Sequence, residues 1–323
     1  MRLFSCLLCS VIVAEALAQR VNYSVVSVPE ENGTNITRIS MAGDYVCMPL
    51  VKRSSVGVKW YSVRVLGITP DGTSLAYLSE RNNATNIFLT DLTRKGSSVQ
   101  RTNRQGVQDF SFSPDGKYIC FSEVRGKLCQ IFQTDAKSGY VCRQITSGAQ
   151  DYSPVYSDDM KQIFFARDER NGFSIWSYNI ANNFLSTYSV GLHPSPIQGS
   201  SAYFCTRISS AGNCEIWRID YKTGMEECLV SDPNRSFASP AISPDGKWLL
   251  MVGGSCIEES KFKYWNTDIY ACRTDGTGLT QLTYHAADDL SPVWSADGRC
   301  IYFVSQRGDA EARANIWRMD FKY

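Results

Sequence analysis

Two histidines, His193 and His285, are the whole imidazole supply of this 323-residue chain. The sequence holds no Gly-x-Ser-x-Gly elbow, no His-Glu-x-x-His, no Walker loop and no Gly-x-Gly-x-x-Gly. The best-known nucleophile, zinc-hydrolase, phosphate and dinucleotide chemistries therefore have no seat here. What remains is a set of carboxylates and aromatics: Asp151, Asp288 and Asp289, with His193 and His285, and Lys59, Trp60, Tyr61, Tyr264 and Trp265. Aromatic walls around a few polar groups suit a sugar or a peptide. Two of the carboxylates could serve as acid and base at a glycosidic bond, but the sequence does not fix their separation. These residues are far apart in the chain, so they act together only if the fold converges them.

The chain does repeat. "ITPDGTSLA", "FSPDGKYIC", "ISPDGKWLL" and "WSADGRCIY" are one phrase with small changes. Its opening Ser or Thr recurs at Thr69, Ser113, Ser157, Ser243 and Ser295, with a degenerate copy placed at Gly199. Successive spacings are 44, 44, 42, 44 and 52 residues, so six units follow, the fifth carrying an insertion. In each unit a short strand ends in the turn, where Pro presets one dihedral and Gly accepts a left-handed one. A second alternating strand follows, then a third such as "EIWRID" or "NIWRMD", a Gly-bearing turn, and a fourth ending near "RQIT" or "TQLT". Four strands per 40–50-residue repeat predict an all-β, six-bladed β-propeller of four-stranded antiparallel blades. The sixth unit stops at Tyr323 after its third strand, and "NITRIS" (35–40) is the expected donor of the missing one.

The phrases "SPVWSADGRCIYFVS" and "NIWRMD" resemble the TolB-like propeller repeats, relatives of the WD-repeat and prolyl-oligopeptidase propellers. The resemblance covers about Tyr61 to Tyr323. It implies the fold and not a function, because such rings serve as docking platforms, sugar lyases, ligand binders and peptidase gates. A lyase on this fold depends on several histidines around a metal; with only His193 and His285 present, that carry-over fails and no metal or cofactor is expected.

Registering the units on their turns gives a column that opens each innermost strand: Val63, Val107, Asp151, His193, Phe237 and Asp289. Asp151, His193 and Asp289 are expected to floor a channel-mouth pocket, with Asp288 adjacent. Two enlarged loops, 41–61 and 253–266, would wall it with Trp60, Tyr61, Tyr264 and Trp265, and His285 lies in a third. The plainer expectation is that the aspartates cap backbone amides of neighbouring strands. Trp176, Trp217 and Trp317 recur at one third-strand position and read as inter-blade packing. "RGD" at Arg307–Asp309 is ordinary repeat grammar, since "VRGK" and "ERNG" fill the same loop elsewhere.

The first eighteen residues, "MRLFSCLLCSVIVAEALA", read as a secretory signal peptide, with a single domain over 19–323. A lipoprotein reading through Cys6 or Cys9 lacks enough apolar sequence before either cysteine. A periplasmic or secreted monomer without a transmembrane segment is expected. Five sequons, at Asn22, Asn32, Asn35, Asn83 and Asn234, count only in a host that N-glycosylates. Net charge is +1 with both signs interspersed, which gives nucleic acid no basic face to bind. Ten cysteines follow the leader without zinc-site spacing. Cys120, Cys129 and Cys142 match Cys205, Cys214 and Cys228, as buried free thiols filling layers between blades would; a bridge from Cys120 to Cys129 across a hairpin is the alternative. The functional expectation is a non-enzymatic binding or scaffold module for an envelope protein, a peptide or a glycan, the alternative being a carbohydrate-active hydrolase or lyase.

Overall fold

The computed structural model describes residues 33–40, 45–48, 64–94, 98–170, 172–259, 262–309 and 311–322. Strand β1 (Thr34–Arg38) comes first in the chain and last in the ring. The first blade is β2 (Leu66–Ile68), β3 (Ser74–Arg81), β4 (Ala84–Asp91) and β5 (Val99–Gln100). The second is β6 (Val107–Phe112), β7 (Tyr118–Arg125), β8 (Leu128–Asp135) and β9 (Val141–Gln144). The third is β10 (Gln150–Tyr156), β11 (Gln162–Glu169), β12 (Gly172–Asn179) and β13 (Leu185–Val190). The fourth is β14 (Leu192–Pro196), β15 (Ala202–Ile208), β16 (Cys214–Asp220) and β17 (Glu226–Val230). The fifth is β18 (Arg235–Ile242), β19 (Trp248–Glu259), β20 (Phe262–Arg273) and β21 (Thr280–Gln281). The sixth is β22 (Asp289–Trp294), β23 (Cys300–Ser305), β24 (Asn315–Asp320) and the returning β1. Innermost strands touch in sequence around the ring, with β22 meeting β2 again.

Second strands are covered on both faces by adjacent blades, which is why "YICFS", "QIFFA" and "CIYFV" run apolar instead of alternating. The turn before each is a small clamp. Ser113 Oγ accepts the Tyr118 N–H (2.9 Å) and donates to Asp115 Oδ1 (2.7 Å), which also accepts the Lys117 N–H (3.1 Å). Gly116 takes φ = 70°, the left-handed conformation that a side chain resists. The Ser113 hydroxyl holds the Asp115 carboxyl below its ordinary range. Blade four lacks this chemistry. There Ile197, not Gly199, occupies the marker position, since its N–H bonds Ala202 O as that of Ser157 bonds Gln162 O. The sequence register of this blade was therefore two residues too late.

Closure is as the sequence requires. Thr34 pairs with Asp320, Thr37 with Arg318 and Arg38 with Trp317, and Asn35 Nδ2 donates to Asp320 Oδ2 at 2.6 Å. The fifth-blade insertion is not a loop. It continues as ladder, with Cys256 opposite Trp265 and Glu258 opposite Lys263, so β19 and β20 are twelve residues each where the other second and third strands have six to eight. Within the sheet, Gly253 lies between Phe237 and Asp268, and a Cβ there would meet the Tyr270 ring at 2.3 Å. All eight cysteines with described side chains are free thiols: Cys120, Cys129, Cys205, Cys214, Cys272 and Cys300 are buried, Cys47 is half-buried and Cys228 is exposed. Cys120 lies opposite Gln133 and Cys129 opposite Val124, so the two are not cross-strand partners.

Candidate binding face at the channel mouth

Strand order puts the openings of the innermost strands, the blade-to-blade connections and the second-to-third-strand loops on one face. The "Ser-Pro" and "His-Pro" pairs of the innermost strands shape it. Ser153, His193, Ser239 and Ser291 have φ of 53°, 51°, 58° and 53° in turn, each directly before a proline and each at a register shift in the ladder. Proline has no N–H to give the ladder, and the bulge turns the preceding residue toward the neighbouring blade. Those residues then tie blades together. Asp109 Oδ2 accepts the Ser153 N–H (2.7 Å), Thr206 Oγ1 accepts the Ser239 N–H (3.1 Å), and Ser291 Oγ accepts the Val65 N–H (3.0 Å).

This geometry corrects the expected column. His193 is equivalent to Ser153, Ser239 and Ser291, while Gly191 is the counterpart of Asp151 and Asp289. His193 is buried, with Nδ1 3.1 Å from Thr206 Oγ1. Phe237 is fully buried and packs edge-on to Tyr270, a core residue and not an open contact. His285 is buried as well, and its Nδ1 accepts the Ala287 N–H at 2.9 Å. Trp60 and Tyr61 lie outside the described residues. Tyr264 and Trp265 lie on β20, opposite Ile257 and Cys256, with side chains outside the described set.

The two expected floor aspartates are present, but arginines occupy them. Asp151, without exposed surface, accepts Arg167 Nε (2.7 Å) and Nη2 (3.1 Å). Asp289, equally buried, accepts Arg307 Nη2 at 2.5 Å. The "RGD" arginine is thus an internal partner, and its Asp309 is buried against Arg313 and Asn315. Asp288 is half-buried, its Oδ1 accepting the Thr267 N–H (3.1 Å) and hydroxyl (2.9 Å).

Arg167, Arg307, Asp109 and Asp268 were not singled out in the sequence. A signal existed for the arginines: in five blades an Arg stands at or near the end of the second strand, two or four residues past the position paired with the third-strand aromatic. Arg81 stacks on Phe88 (4.0 Å), Arg125 on Phe132 (4.2 Å), Arg167 on Trp176 (4.4 Å), Arg207 on Trp217 (4.7 Å) and Arg307 lies 5.8 Å from Trp317. The repeated tryptophans therefore pack beneath cations. Asp109 could have been found by counting four residues back from Ser113. Its carboxyl is pushed up by burial, against the Ser122 hydroxyl, the Ser153 N–H and the Arg64 charge. Asp268 accepts from Asn266 and Gln281 (3.1 Å each), and among the described residues no cation forms an ion pair with it. Burial, and then the Asp289 charge, push it up to about 8. Among the described residues no three His, Cys, Asp or Glu side chains are placed to hold a metal. No helix among them is long and apolar enough to cross a membrane.

Six four-stranded blades, bulged innermost strands and a ring tied shut by its N-terminal strand define the chain as a six-bladed β-propeller. The family described as "TolB beta propeller domain" matches residues 52–198. TolB from Acinetobacter baumannii superposes with a TM-score of 0.58 at 23% identity, covering 71% of this chain and 56% of that one. An oligogalacturonate lyase from Vibrio parahaemolyticus gives 0.58 at 13% identity, covering 92% and 96%. At these identities the likeness is one of fold. By sequence, the "Uncharacterized peptidase YuxL" of Bacillus subtilis is 27% identical over 191 residues, 56% of this chain and 28% of that protein. The "Uncharacterized protein Atu1656" of Agrobacterium fabrum is 24% identical over 165 residues, 49% of this chain and 55% of its own length. The chain thus matches well under two thirds of either relative.

Proposed function

We propose that the chain is a non-enzymatic binding module that engages a partner protein, a peptide or a glycan on the channel-mouth face. It does so as a monomer outside the cytoplasm, in the periplasm or secreted, after residues 1–18 are removed as a leader. The observation that carries the reading is the β19–β20 hairpin, whose extra length extends the ladder on this face and on no other blade. Elements that depart from the repeat are where function is grafted on a scaffold. Trp60, Tyr61, Tyr264 and Trp265 supply aromatic contacts, and Asp288 offers a partly open carboxylate. Asp151 and Asp289 act through their arginines; the Arg167 side chain keeps 14% of its surface open above a fully covered Asp151.

The competing reading is a glycoside hydrolase or polysaccharide lyase working through channel-mouth carboxylates. It needs two carboxylates that water and sugar can reach, and Asp151 and Asp289 are both enclosed and ion-paired. A glycan and peptide array on the purified chain, followed by a turnover assay on each hit, separates the two. Binding without turnover supports the module. Product that disappears in Asp151→Asn or Asp289→Asn supports the enzyme. Trp265→Ala should weaken any array hit by about 2 kcal/mol, while Asp245→Ala, in a turn on the far face, should not. The reverse pattern would move the site to the far face.

A further inference from the structure

The segment Tyr45–Met48 crosses from the sixth blade to the first on the channel-mouth side. Val46 N–H bonds Ala314 O (3.3 Å), Cys47 N–H bonds Leu78 O (2.9 Å), and Ser79 Oγ donates to Tyr45 O (2.7 Å). Between this segment and the first two blades lies a cleft of about 360 Å³. That is within the size range of ligand pockets. Its walls are apolar: Val46, Met48, Val65, Leu78 and Val107. Glu80, Thr85 and Gln108 join the lining as polar groups, with Tyr45 and Cys47. Glu80 is exposed, and among the described residues no cation pairs with it. Three other carboxylates of this face, those of Glu123, Asp151 and Asp289, each have an arginine within 3.1 Å.

We propose that this cleft is a binding site for a lysine or arginine side chain of a bound peptide, its methylene stem along the apolar walls and its charge against Glu80. Five apolar lining residues together with a carboxylate that no described cation pairs are complementary to that chemistry, whereas a sugar would leave the apolar residues unused. The inference rests on the channel-mouth reading above and narrows it to a basic peptide. Gln108, on the same lining, offers a second acceptor for the cation.

Cys47 lines the cleft and reports on it. Its thiol is pushed up to about 11, by burial first and then by the Glu80 charge. Alkylation of the full chain by iodoacetamide at pH 8.5 is followed by peptide mass spectrometry, with the exposed Cys228 as internal standard. The probes are acetyl-Leu-Lys-Leu-amide and its norleucine counterpart, which keeps the stem and lacks the charge. At ten times its Kd the lysine peptide should slow Cys47 alkylation roughly tenfold and leave Cys228 unchanged. Glu80→Gln, at an exposed position, should weaken that protection roughly tenfold without altering the fold. Three outcomes overturn the proposal: no protection, equal protection by both peptides, or protection that survives Glu80→Gln. A fourth does so by naming another occupant. Residues 49–63 carry Lys52, Arg53 and Lys59, and Cys47 that is unreactive without peptide and becomes reactive in Lys52→Ala/Arg53→Ala/Lys59→Ala would assign the cleft to the chain's own segment. Failure here leaves the hairpin comparison with Trp265→Ala standing, so the two readings fail separately.

Discussion

Replacing Arg167 with Met isolates the ion pair beneath the channel mouth. The substitution keeps a long side chain over Trp176 but strands the Asp151 carboxylate, which has no exposed surface. Breaking a buried pair by removing one partner costs about 3–5 kcal/mol. Losing a cation–π stack adds about 0.5–1 kcal/mol. A loss of about 4 kcal/mol, with an m-value of about 3 kcal/mol/M, lowers the urea midpoint by roughly 1 M. Asp151→Leu alone strands the guanidinium instead, at smaller cost, because Arg167 keeps a path to water. The double variant Asp151→Leu/Arg167→Met removes both charges and should fall within about 2 kcal/mol of the parent. Tryptophan fluorescence through urea titrations of all four proteins closes the cycle. If the single effects simply add in the double variant, the two groups are not coupled and the floor is not built as described.

Deleting residues 19–40 should leave the outer edge of β24 open and yield an aggregating or molten protein; a truncated chain with native near-UV dichroism and an unchanged midpoint would refute the closure. The six buried thiols should react with a maleimide only after denaturation, with Cys228 reacting in the folded chain, and prior reduction should leave the reagent count unchanged. Burial that pushes Cys120, Cys205 and Cys272 up to about 12 reinforces this inertness. Asp268 gives a pH signature. Its folded-state value, about 8, lies above the ordinary 3.8, so the fold favours its protonated form. Its contribution to stability is complete below about pH 4 and is lost as pH rises toward 8. Asp268→Asn should flatten the decline of the urea midpoint across that window, and an unchanged slope would show that Asp268 does not titrate there.

Architecture was legible because it is written six times. The Ser-Pro-Asp-Gly turn recurs wherever a hydroxyl must accept one N–H and steer a carboxylate onto another, and the missing sixth fourth strand pointed to the N-terminus by elimination. The one slip in register came where that chemistry is absent: Ile197 cannot act as Ser157 does, and Gly199 beside it drew the eye. That two-residue error carried His193 into the wrong column. The site was legible as residue types and not as roles. Asp151 and Asp289 stood out as polar residues in an apolar column, but their arginines sit sixteen and eighteen residues downstream at strand ends, where charge is commonplace. The enlarged fifth-blade segment was visible as extra length. Its strand character was not, because "SCIEESKFKYW" alternates too weakly to separate a ladder from a loop.

The clasp between Asn35 and Asp320 also sets a clock. Its two halves are 285 residues apart, and at about 5–20 residues per second the first is made on the order of 15 to 60 s before the second. Through that interval Thr34–Arg38 has no partner, and five blades can stack while the sixth cannot exist. Ring closure therefore waits until β24 has been made. Once β24 emerges, its open edge can accept the equivalent strand of a neighbouring chain as readily as its own. Crowded production should favour such exchanged rings, and dilution should favour closed ones.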